Sequence, residues 1–178
     1  GDVTAWELLG QVACCAGLEE QARGRDSRAR FRRAVAAFEK AAQRAPAKTS
    51  IVLVGSQARR SLAEAEQARG IDARGLLRQV IGDLESAGRA EPSLPGLHNH
   101  LGLALWSLGN GEAAAGADPR EIYRRAIAEF DHAVLEDPRG VLAPCNRGTA
   151  RRSLGEAEEL RGADPCARFQ QAIADQDV

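Results

Sequence analysis

Histidine and cysteine are the side chains of this sequence best suited to metal or covalent chemistry, and their spacing argues against both. His98 and His100 lie two residues apart, where helical side chains diverge, so no shared metal ion is expected. Cys14 and Cys15 are adjacent, a spacing that makes only a strained disulfide, and neither has a base nearby in sequence. Together with Cys145 and Cys166 they follow neither a disulfide framework nor the paired spacing of a zinc site. They read as free thiols of a reducing compartment, which places the chain in the cytoplasm. No glycine-rich phosphate loop follows a strand pattern, and no Ser-His-Asp set has local support. The chain is therefore expected not to be an enzyme and to need no metal or other cofactor.

Charge narrows the partners. The 178 residues carry 24 Lys+Arg against 25 Asp+Glu, a formal charge of -1, so the basic excess that draws nucleic acid or an anionic membrane surface is missing. No apolar run reaches the length of a transmembrane helix, and the first residues lack a signal-peptide pattern. Alanine occurs 34 times and aromatics make up only 4%. Such a composition favours helices that approach closely through small residues.

The organisation follows from residue arithmetic. Gly24, Gly70, Gly116 and Gly162 are 46 residues apart, as are Asp26, Asp72, Asp118 and Asp164, and as are Pro46, Pro92 and Pro138. The chain therefore reads as one repeat domain over 1–178, with repeats 1–46, 47–92, 93–138 and a shortened 139–178. Each repeat is expected to be a helical hairpin: glycine ends the first helix in the left-handed conformation, and aspartate two residues later caps the second. Pro119 and Pro165 then fall at the first helical position, where a missing N–H costs nothing. In the third repeat the helices are expected over roughly 97–115 and 119–137.

On the second helices, Phe31, Leu77, Tyr123 and Phe169 share one position, followed by Val35, Ile81, Ile127 and Ile173, then by Phe38, Leu84 and Phe130. The i, i+4, i+7 spacing makes an apolar stripe. On the first helices, Val12, Ala58, Ala104 and Ala150, with Ala16, Leu62, Leu108 and Leu154, form the face toward the hairpin partner. Gly17, Ala63, Gly109 and Gly155 recur inside the helix, which implies close helix contact, or fraying at Gly109-Asn110-Gly111. Glu20, Glu66, Glu112 and Glu158 precede Arg23, Arg69 and Arg161 by three residues where both are present, a spacing for intrahelical pairs or for ladders between repeats.

In the third repeat, Leu101-Gly102, Ala126, Phe130, Ala133 and Pro138 resemble the signature of the tetratricopeptide-repeat family. The likeness extends to Ala34, Phe38, Ala41 and Pro46, to Gly148 and Ala172, and more weakly to Ser56, Val80 and Leu84. It covers nearly the whole chain and implies an all-α fold, a right-handed α-solenoid of antiparallel helical hairpins. The unit is 46 residues where the family has 34. The extra twelve fall between Gly102 and Ala126 and are assigned half to each helix, which keeps the hairpin in register.

In that family ligands lie on the concave face of the first helices. The resemblance maps that face onto three rows: Glu7, Leu53, Asn99 and Cys145; Gln11, Gln57, Leu103 and Thr149; Cys14, Arg60, Trp106 and Arg152. The expected function is that of a protein interaction scaffold. Gln57, Arg60, Asn99, Leu103, Trp106, Thr149 and Arg152 would hold a peptide segment with an acidic or aromatic group, because Trp and Arg dominate interface energetics. Asn99 and Asn146 echo the family's carboxylate clamp, but its lysines are absent. The first helix begins Trp6, Leu8, Leu9 without a cap and the last repeat stops short at Val178, so the chain reads as part of a longer protein. The alternative function is a structural, regulatory or oligomerisation arm that self-associates through uncapped ends.

Overall fold

The structure, a computed structural model, describes residues 2–162 and 166–176. The fourth cap expected at Asp164 and Pro165, and the chain end at Val178, lie outside the described residues. Among the described residues the chain is all helical, with no strand: α1 (Val3–Ala22), α2 (Arg28–Arg44), α3 (Thr49–Gln67), α4 (Arg74–Ala90), α5 (Leu97–Ala114), α6 (Arg120–Glu136), α7 (Leu142–Glu159) and α8 (Cys166–Gln176). Two compact halves, Gly1–Leu94 and Pro95–Val178, each hold two hairpins. In both halves every helix packs on its neighbour in sequence, and the two first helices also touch, α1 with α3 and α5 with α7, the contact pattern of a helical solenoid.

The turn inside each hairpin follows from its glycine and aspartate. Gly24, Gly70 and Gly116 take φ of 69°, 74° and 78°, where a Cβ would clash with the backbone. Around each, a backbone N–H folds back onto the carbonyl five residues earlier, in the last helical turn: Arg25 donates to Glu20 O at 2.8 Å, Ile71 to Glu66 O at 3.0 Å and Ala117 to Glu112 O at 2.9 Å. These bonds satisfy carbonyls that a helix end leaves open. The aspartates then open the second helices, as Asp26, Asp72 and Asp118 accept from the backbone N–H of Arg28, Arg74 and Arg120 at 3.2, 3.0 and 3.2 Å. Pro119 already has helical dihedrals, which makes Asp118 the capping residue by backbone conformation. The guanidinium of Arg120 also grips Asp118 at 2.7 Å; that bond, then the backbone N–H, holds its carboxyl down at about 2.

Packing within a hairpin is ring on glycine. A Cβ at Gly10 would lie 2.7 Å from the Phe38 ring, at Gly17 2.6 Å from Phe31, at Gly102 2.6 Å from Phe130, at Gly109 2.4 Å from Tyr123 and at Gly155 2.8 Å from Phe169. Those glycines therefore recur because rings occupy the Cβ space. Helix α5 runs unbroken through Gly109-Asn110-Gly111, so the fraying alternative is overturned. Asn110 instead accepts from the Tyr123 hydroxyl at 2.8 Å, while burial, and next Glu156, push that hydroxyl up to about 12. In the second repeat the two second-helix positions are Leu77 and Leu84, and the matching first-helix residues are Ala63 and Ser56. Smaller partners go with larger first-helix residues.

Two expectations need correction, the first being that the first helix lacks a cap: α1 opens on Asp2, whose carboxylate accepts from the Thr4 backbone N–H at 3.2 Å. Of the two readings left open for the recurring Glu and Arg, the ladder holds among the described residues: Arg23 turns to Glu19 at 2.7 Å, whereas Glu66, Arg69, Glu158 and Arg161 join neighbouring hairpins of one half. Arg32 pairs with Glu66 at 2.8 Å and Arg69 with Asp26 at 3.6 Å; in the other half Arg124 pairs with Glu158 at 3.2 Å and Arg161 with Asp118 at 3.5 Å. The second concerns Val12, which does not share the burial of Ala58 and Ala150 but is 59% exposed, because α1 packs only on α2 and α3 and its third side meets no helix in this half. Leu8, one turn earlier, is 60% exposed, whereas Trp6 and Leu9 are half-buried, with Lys40 Nζ 4.4 Å over the Trp6 ring.

Replacing Gly102 with alanine sets a helix-propensity gain of about 1 kcal/mol against overpacking of about 1–3 kcal/mol. Gly102→Ala is expected to be destabilising in urea melts, and neutral or stabilising in a Phe130→Leu background. Gly82→Ala, whose Cβ would meet nothing within 4 Å, is expected to stabilise by about 1 kcal/mol. Equal Gly102→Ala effects in both backgrounds would refute the ring-on-glycine account.

Candidate binding face

Residues spaced i, i+4, i+7 form one stripe on a helix, so Asn99, Leu103 and Trp106 share a face of α5, and Cys145, Thr149 and Arg152 a face of α7. Helices α5 and α7 touch, and Asn99 and Trp106 meet Asn146 and Ser153, each one residue beyond a member of the α7 stripe. Asn146 Nδ2 donates to Asn99 Oδ1 at 3.0 Å, and Trp106 Nε1 donates to Ser153 Oγ at 3.0 Å. The indole packs on the buried cluster of Tyr123, Leu154 and Ala157, so Trp106 contributes to the packing between hairpins and remains half-buried. Thr149 Oγ1 donates to the Cys145 carbonyl at 3.1 Å, and Leu103 is half-buried. Arg152 is 57% exposed, with its Nε 3.8 Å from Glu156.

Gln57 and Arg60 occupy the corresponding stripe of α3 in the amino-terminal half. Gln57 is half-buried. The Arg60 side chain is only 18% exposed, folded along its own helix onto Glu64 at 2.5 Å. Cys14, on α1, is buried; burial and then the neighbouring Cys15 push its thiol up, against the pull of Arg60. A thiol so placed stays protonated at neutral pH. On the same helix Glu7 pairs with Lys48 at 2.8 Å.

His98 faces α6 rather than His100. Its Nδ1 lies 2.7 Å from Glu129, its Nε2 3.6 Å from Glu136, and its ring centroid 5.0 Å from that of His132. No group of three His, Cys, Asp or Glu among the described residues is placed to hold a metal ion. All four cysteines carry free thiols, and no helix among the described residues is long and apolar enough to cross a membrane.

Sequence reasoning passed over the densest polar constellation. Asp175 on α8, its side chain 5% exposed, accepts from two arginines of α7: Arg147 Nε at 3.1 Å and Nη2 at 2.5 Å, and Arg151 Nη1 at 2.6 Å. Arg147 Nη1 also donates to Asp131 of α6 at 2.8 Å. The two carboxylates hold the Arg147 guanidinium above its ordinary value. A related cluster joins three helices of the other half, where Arg59 of α3 pairs with Asp83 of α4 at 2.5 Å and Glu39 of α2 at 3.2 Å. Glu39, Arg59 and Asp83 precede Asp131, Arg151 and Asp175 by 92 residues each. The signal was a second period: Ala-Arg-Arg-Ser-Leu at 58–62 recurs at 150–154, two repeats later rather than one.

Fold and face together define a helical-repeat protein whose first helices display amide and guanidinium groups. No protein-family model matches the sequence, and no curated protein does at a significant level.

Asp175→Ala leaves two guanidinium groups facing each other in a partly desolvated site. Its expected cost is on the order of 3 kcal/mol, read from urea unfolding, with most of the loss absent when Arg147→Ala is already in place. Additive effects of the two substitutions would show that the network is not a unit.

Proposed function

We propose that this chain is a protein interaction module in which the α5–α7 face holds an extended segment of a partner protein. The observation that carries this reading is the Asn99–Asn146 pair. Each amide bears both donor and acceptor groups, and their mutual bond engages the oxygen of one and the nitrogen of the other. The opposite groups suit the alternating N–H and C=O of an extended backbone. Leu103 and Thr149 supply the adjoining surface, and the half-buried Trp106 ring offers a flat apolar contact. The loose Arg152–Glu156 pair, worth little in water, gives way readily to a ligand carboxylate that the guanidinium grips with two bonds. Gln57 and Arg60 present the same kinds of group on α3, with Arg60 needing to leave Glu64 before it binds. The expected ligand therefore bears an acidic or aromatic side chain.

Panning a random displayed peptide library on the full chain tests this. Selected peptides are expected to be enriched in Asp, Glu or aromatic residues and to lose about tenfold in affinity for Asn99→Ala, Asn146→Ala or Arg152→Ala. Selected peptides that bind all three variants like the parent would overturn the proposal.

The exposed Leu8 and Val12 favour a second reading, association of copies through α1, since neighbouring exposed apolar side chains mark interaction surfaces. Light scattering across concentration is then expected to show a dimer that Leu8→Asp with Val12→Asp returns to monomer. A monomer throughout, or a dimer unaffected by the pair, excludes this surface.

A further inference from the structure

We propose that the cleft between α2, α3 and α4 is a receptor for an arginine side chain supplied by a partner polypeptide. The proposal concerns a different set of residues from the α5–α7 face and stands independently of it. It begins from the two charge clusters related by 92 residues. In the carboxyl-terminal half the cluster has four members: Asp131 and Asp175 face Arg147 and Arg151. In the amino-terminal half Glu39, Asp83 and Arg59 reproduce three of them, and the fourth position, that of Arg147, is Gly55. Two carboxylates there face one guanidinium, leaving this cluster one cation short of its counterpart.

The space for that cation is present. A Cβ built on Gly55 would meet only the Phe38 Cβ, at 3.6 Å. Gly55 opens onto a cleft of about 400 Å³ walled by Val35, Val52 and Ala87, with Glu39, Arg59 and Asp83 among its polar lining. Apolar walls suit the methylenes of a long cationic side chain, while its head reaches the carboxylates. Where Arg147 is in place, Asp175 is 5% exposed; Asp83, its counterpart, is 51% exposed. The missing element is a guanidinium rather than any cation, because Arg147 meets its two carboxylates through Nε and both Nη atoms, a fork that an ammonium does not reproduce.

The test is titration of the full ¹⁵N-labelled chain with N-acetyl-arginine amide, followed by amide NMR shifts, with the citrulline and lysine analogues as comparators. Saturable shifts are expected at Val52, Gly55 and Arg59, with about tenfold weaker binding of the neutral citrulline analogue. Gly55→Arg is expected to place the missing guanidinium in the chain itself, abolishing the shifts and raising Tm. Asp83→Asn, at an exposed position, is expected to weaken binding about tenfold with helix content unchanged, and it carries the test should Gly55→Arg lose helix content. Equal binding of citrulline or lysine amide, full binding by either variant, or no saturable shift at these amides with the arginine amide would overturn the proposal.

Discussion

The fold depends on how close the two helices of a hairpin come. Phe31, Phe38, Tyr123, Phe130 and Phe169 each lie over a glycine of the partner helix, at a distance that even a methyl group would violate. This contact lets a chain with few aromatic residues bury Phe31, Phe38, Tyr123 and Phe130 almost completely, while Phe169 stays half-buried. It also fixes axial register, because a ring displaced along the helix meets a side chain instead of a gap. The cost is glycine inside α1, α5 and α7, each about 1 kcal/mol less favourable than alanine, offset by the area that each ring removes from water. The second repeat reaches the same end with leucine opposite alanine and serine, which shows that the conserved quantity across a hairpin is summed volume rather than residue identity.

Electrostatics acts on top of this packing, and at two scales. The exposed ladders, Arg32 with Glu66 and Arg124 with Glu158, contribute little energy individually and chiefly favour one alignment of neighbouring hairpins over others. The clusters around Asp83 and Asp175 differ, since each ties three consecutive helices together through arginine. Arg147 converts an exposed carboxylate position into a buried, fully partnered one. Gly55 at the matching position leaves a cleft. The two charge clusters thus differ at this position in residue type and in the exposure of the carboxylate beside it.

The α5–α7 face shows a similar economy of parts. Asn99, Asn146, Trp106 and Ser153 join α5 to α7 by side-chain bonds, so groups that would meet a peptide are already oriented by the packing of the scaffold. Arg60 and Arg152, one repeat either side of Trp106 in sequence, differ in setting: one is drawn in beside buried Cys14, the other stands in solvent.

Much of the architecture was determined by sequence alone, because its causes are local. Gly24, Gly70 and Gly116 need positive φ, Asp118 caps within its own turn, and apolar spacing sets which faces turn inward; none of these depends on distant residues. The all-helical hairpins and their boundaries follow. Only the tertiary structure decided what lies across a helix from a given residue. That Gly109 is filled by Tyr123 rather than frayed, that Val12 is uncovered while Ala58 is enclosed, that Arg69 reaches Asp26 rather than Glu66, and that Gly55 opens a cleft where Arg147 closes one are facts about neighbours remote in sequence. A one-dimensional period gives the position of a side chain on its helix, but the partner that satisfies or crowds it is set by the packing of several helices at once.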